Sequence, residues 1–116
     1  MIKFFVYDAD INKLAVNQPE VLLVKEFADL WTNERNKCQE DPSGEKRLKA
    51  FRELTYIYMA IDWGAPGSKD TPANRHKYAL EASQLTDEEY NDPIFREACR
   101  KYKELQDGSS TVGPLI

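Results

Sequence analysis

The sequence is short of most groups that carry chemistry. It has 2 cysteines and 1 histidine among 116 residues. Cys38 and Cys99 lie far apart and outside any Cys-x-x-Cys pattern. They signal neither a disulfide framework nor a thiolate metal site, and fit a cytosolic chain with free or buried thiols. A single histidine excludes a histidine metal cluster, and His76, between Arg75 and Lys77, reads as a solvated helix residue. Glycine is also scarce, and no phosphate-cradling motif exists, because Gly64 and Gly67 lack a following Lys-Ser or Lys-Thr. A surplus of cations is missing too. The formal charge is −4, which argues against non-specific nucleic-acid binding through the phosphates. Long apolar runs are absent: Met1–Tyr7 breaks off at Asp8 without a secretory core or cleavage site. No stretch approaches the roughly 18 apolar residues of a membrane span. A soluble, intracellular, non-enzymatic chain is the expectation, with no catalytic, cofactor or metal residues.

What is present is a thin core. Leu, Ile, Val and Phe account for 26 of 116 residues, about 22%, only just above the level typical of disordered chains. The 13 aromatics nevertheless supply bulky groups to bury. A chain of this length has room for one domain, and its core is leaner than a stable free monomer needs. Neighbouring molecules are expected to complete it.

The pattern predicts a mainly α fold: a small helical bundle with an N-terminal β-hairpin and an extended C-terminal arm. The hairpin is placed at 2–16, from the extended-favouring Phe4, Phe5, Val6 and Tyr7 and the return of Leu14-Ala-Val16. Helices are predicted over about 19–36, 45–62, 72–83 and 93–107. Leu23, Phe27, Leu30 and Trp31 form the stripe of the first, and Ile94, Ala98, Tyr102 and Leu105 that of the last. The stretch Leu54–Ile61 is apolar almost all round, so that helix is surrounded by protein. Thr86-Asp-Glu-Glu89 reads as a capping box opening a short turn. Gly64 is the expected left-handed cap after residue 62, and Gly108 the expected stop of the last helix. The domain is placed at 1–108 and the arm at 109–116.

Asp8-Ala-Asp10-Ile-Asn12 begins like a calcium loop, but Lys13 stands where the sharp turn needs glycine and Pro19 where a bidentate Glu belongs. A hairpin turn accounts for these residues. Lys46, Arg47, Lys49 and Arg52, interleaved with Glu45 and Glu53, read as a solvated helix face. Asp62 and Asp70 are the only carboxylates near a predicted bend that a histidine-free enzyme could gather. Trp63, beside Gly-Ala-Pro-Gly67, is either a lid on the chain's own core or an anchor for another chain. The uncharged segment 109–116 gains little by ordering against water and would fray unless tied down. Phe4, Phe5, Tyr7, Trp63, Tyr78, Val112, Leu115 and Ile116 are the candidate interface residues.

Three local signatures resemble a group of small virion proteins of crAss-like bacteriophages. They are the Phe/Tyr-rich Ile2–Tyr7 segment, the helix start Asn17-Gln-Pro-Glu-Val-Leu-Leu23, and the Phe51–Pro66 segment with its Tyr-Ile-Tyr and Asp-Trp. The match spans about the first two-thirds of the chain. The chain departs from it with Gly64, Ala65 and Gly67, where polar or aromatic residues would be expected. The resemblance implies a structural subunit made in the host cytoplasm and located in the virion, in the neck between portal and tail. Its partners would be copies of itself in a ring and neighbouring portal or neck proteins, with packaged DNA passing nearby and no sequence-specific nucleic-acid or membrane binding. A small acidic regulatory protein, such as a phage-encoded inhibitor of a host protein, is the alternative.

Overall fold

The computed structural model describes residues 23–106 in full, and the backbone alone of 5–8, 13–16 and 107–115. The fold is mainly helical. Strands β1 (Phe5–Asp8) and β2 (Lys13–Val16) pair antiparallel, with Phe5 opposite Val16 and Asp8 opposite Lys13. Among the described residues five helices follow: α1 (Lys25–Leu30), α2 (Leu48–Ile61), α3 (Pro72–Ser83), α4 (Asp87–Tyr90) and α5 (Pro93–Leu115).

α2 lies at the centre, packed against α3 and α5, while α1 packs on α5. Four successive residues, Tyr56, Ile57, Tyr58 and Met59, are buried. A helix so enclosed needs neighbours on several sides, as its all-round apolar sequence indicates. Phe27, Leu30, Leu54, Phe95 and Tyr102 fill the centre, with Ala50, Ala79 and Ala98 allowing the helices to approach. The buried stripe of α5 keeps Ala98 and Tyr102 as expected, with Leu105 partly buried against the core, but Phe95 takes the inward place expected of Ile94, which is exposed. On α3 the buried residues are Ala79 and Ser83, leaving Tyr78 and Ala82 on the outer side.

Several predicted boundaries are corrected. The first helix ends at Leu30 rather than near 36, because Asn36 turns its side chain back. Its Nδ2 donates to the carbonyls of Leu30 (2.9 Å) and Thr32 (2.6 Å). The predicted start at Asn17 and Pro19 lies outside the described residues, and Leu23 is exposed. The second helix begins three residues later than expected, since the loop continues through Gly44 (φ +73°) to Arg47 (φ +54°). Arg47 offers no side-chain cap. Fully buried Asn36 supplies one from a distance, its Oδ1 accepting the backbone N–H of Ala50 at 2.6 Å. The bond falls on the first turn of α2, where N–H groups lack helical partners.

The other end of α2 is also capped from outside. Arg75 Nη2 donates to the carbonyls of Met59 and Asp62, and Gln106 Nε2 donates to that of Ile61. Gly67 (φ +77°), not Gly64, takes the left-handed turn beyond. α3 has the predicted limits, opened by Thr71 with Pro72 in its first turn. The capping box of Thr86 and Glu89 is formed. The segment expected as an extended arm is corrected: the helical backbone passes Gly108 and reaches Leu115. A glycine inside a helix costs about 1 kcal/mol relative to alanine but is no stop unless it turns left-handed. The boundary placed at 108 therefore falls within a helix.

Candidate functional site

The carbonyl-capping side chains that end α2, Arg75 and Gln106, also wall a cleft. It encloses about 510 Å³ between the C-terminal half of α2, the start of α3 and the middle of α5. Trp63 stands at one side. Its backbone N–H donates to Gln106 Oε1 at 3.0 Å, and Gln106 is buried. Asp62 beside it accepts the N–H of Gly64 at 2.7 Å and the hydroxyl of Tyr102. The backbone under Trp63 is thus fixed from several directions, while its side of the residue remains 55% exposed.

The floor is aromatic. The Tyr56 hydroxyl and His76 Nδ1 are hydrogen-bonded at 2.7 Å, and the rings of Tyr56, His76, Tyr90 and Phe95 meet edge to face. His76 is therefore half-buried and partnered, which corrects its reading as a solvated residue. Its neighbours Arg75 and Lys77 conceal this in sequence, because the partner lies 20 residues away on another helix. Burial pushes the Tyr56 hydroxyl above its ordinary value, reinforced by Tyr90, so it stays a neutral phenol. Cys99 also lines the cleft. Burial drives its thiol up to about 12, which leaves it protonated and unreactive at neutral pH. Cys38 and Cys99 are both free.

The rim carries charge. Arg96 lies over the Tyr90 ring, its Cζ 4.7 Å from the centroid, and Lys103 is about two turns further along α5. Arg75 completes the set; its Nε is buried without a partner. Against these stands one carboxylate, Asp70. The Asn74 side chain and the Thr71 N–H hold it below its ordinary value, so it remains ionised. Three cations face one anion, on a chain whose formal charge is −4.

A second polar cluster sits at the N-terminal half of α2 and was missed in the sequence. Arg35 grips Glu53 with two parallel bonds of 2.7 Å and reaches Asp92 with a third of 2.7 Å. Lys49 approaches Asp92 at 3.5 Å, and Arg52 pairs with Glu89 at 2.7 Å. Half of the supposed solvated basic face is thereby tied to α4 and the start of α5. Burial raises the Glu53 carboxyl above its ordinary value, against the pull of Arg35. Burial works in the same sense on Asp92 but is outweighed by the Ile94 N–H, Arg35 and Lys49, which lower it. This cluster ties the loop at Arg35, α2 and the α4–α5 junction together, and Lys49, Glu89 and Asp92 also border an open hollow of about 610 Å³.

Of the residues singled out in sequence, Trp63 and Tyr78 fall on two sides of the 64–70 loop. Trp63 lines the cleft at the end of α2, and Tyr78 lines a smaller hollow of about 210 Å³ with Pro66 and Gly67. Arg75 and Asp70 border both. Phe5, Tyr7, Val112 and Leu115 lie where only the backbone is described, and Phe4 and Ile116 lie outside the described residues. Asp62 and Asp70 are each committed to their own turn. Among the described residues no group of three or more His, Cys, Asp or Glu could hold a metal ion, and no helix is long and apolar enough to cross a membrane. Compared with known proteins, the chain matches no family model, no curated protein and no solved structure.

Proposed function

We propose that the chain is a non-catalytic structural subunit of a bacteriophage virion, a head–tail connector or neck ring protein that assembles with copies of itself and with neighbouring virion proteins. The observation that carries this reading is Trp63: an exposed indole on a backbone pinned by Gln106 and flanked by a capped helix end. A large aromatic held in place before binding loses little freedom when a partner covers it, and tryptophan dominates the contacts between chains. Tyr78 on the other side of the same loop, and Phe51 and Ile94 elsewhere, add exposed apolar surface. The placement in the neck comes from the sequence resemblance. In this reading the paired strands, the loop after α2 and the C-terminal end of α5 lap onto neighbours.

Light scattering on the full chain, with Trp63→Ala beside it, tests the proposal. Trp63→Ala is expected to weaken self-association by about 2 kcal/mol or more, roughly thirtyfold in dissociation constant. Because the ring is exposed, stability to urea should change by no more than about 0.5 kcal/mol. A wild-type chain that stays a single copy overturns the reading and favours the small regulatory binding protein. Unchanged association in the variant removes Trp63 from the interface.

A further inference from the structure

The cleft beside Trp63 has a charge opposite to that of the chain that carries it. Arg75, Arg96 and Lys103 face Asp70, a formal surplus of two positive charges in a cavity of about 510 Å³. The whole chain carries −4, so the surface outside the cleft holds a formal excess of six negative charges. The Arg96 guanidinium carbon lies over the Tyr90 ring, and neither Arg96 nor Lys103 forms an ion pair with a described residue. The walls between the cations are aromatic, from Trp63, Tyr90 and His76. Such a cavity suits a carboxylate carried on an apolar or aromatic segment: the cations take the charge and the rings cover the rest.

From this geometry we infer that the cleft binds a carboxylate-bearing segment on the outer surface of a second copy of this chain, and that the contact runs head to tail. The inference rests on the assembly reading and adds the surface and polarity to it. A two-fold contact centred on the cleft would set two positive cavities against each other, and like charges brought together cost several kcal/mol. The cleft's partner is therefore a different, acidic face of the neighbour. Repeating such a contact closes a ring or extends a filament. Charge complementarity of this kind steers association and makes it sensitive to salt.

The test uses the full chain in sedimentation velocity, at low salt and at 0.5 M NaCl, with the double variant Arg96→Glu/Lys103→Glu. Both positions are exposed, and circular dichroism identifies a variant that has lost its helices. Wild type is expected to assemble at low salt and to shift towards smaller species at high salt. The variant should associate at least about tenfold more weakly. The decisive arm is the mixture. A variant that keeps its acidic face but offers no basic cleft can dock at one end and accept nothing at the other, so it should cap wild-type assemblies and shorten them. If wild type assembles and the variant joins it as an equal, the cleft is not the contact and the inference falls, while the assembly reading stands. A variant that stays apart without shortening wild-type assemblies overturns the head-to-tail polarity. Wild type that never associates overturns the assembly reading itself.

Discussion

Arg35 shows how much at the level of single residues depends on distant partners. Its guanidinium holds Glu53 from 18 positions away and Asp92 from 57. The Glu53 side chain is wholly buried, so the pair is closed off from water. Removing one partner leaves the other charge buried and unmatched, whereas replacing both removes the desolvation cost together with the attraction. Arg35→Met is expected to cost about 3–5 kcal/mol in urea unfolding, and Arg35→Met/Glu53→Leu to recover most of that loss. A double variant as unstable as the single one would show that the pair contributes more than it costs to bury. Nothing local in the sequence marks this pair. Arg35 stands in the last turn of a predicted helix and Glu53 interrupts a basic run, and both positions suggest solvent. The same holds for Asn36, whose capping of α2 is visible only once the chain has folded back.

At the scale of elements, the sequence was most legible where the signal is local. Thr71-Pro72 and the Thr86–Glu89 box each concentrate a start signal within four residues, and the helices begin there. The enclosed half of α2 was readable because apolar residues on every face leave a helix no side for water. Boundaries set by tertiary capping were not legible, which is why α1 ends early and α2 starts late. Nor was the exact buried stripe of α5, since Ile94 and Phe95 are both apolar neighbours and only packing decides between them. The joint between α1 and α2 depends on Gly44. Its φ of +73° disfavours any side chain, and an added Cβ would strike the Asn33 carbonyl. Gly67 has φ +77° with open space around it. Gly67→Ala should therefore cost about 1–2 kcal/mol from backbone strain alone. Gly44→Ala should cost clearly more, because backbone must shift as well. Equal losses in thermal or urea unfolding would contradict the packing described at residues 33–44.

For the whole molecule, the sequence pointed to Trp63 as a candidate contact but not to the cleft beside it. Its lining comes from four helices, and the cations on its rim are ordinary surface residues until α3 and α5 place them beside the aromatic floor. The molecule that results spends its polar side chains on capping and joining helices and leaves a fixed tryptophan and a basic cavity facing outward. That division supports a chain that works through its surfaces, with its fold completed by neighbours. Native mass spectrometry of the full chain at low salt tests this most directly. The account predicts a discrete multiple of the 13.4 kDa chain, with the single copy a minor species; a spectrum holding only the single copy at every concentration would contradict it.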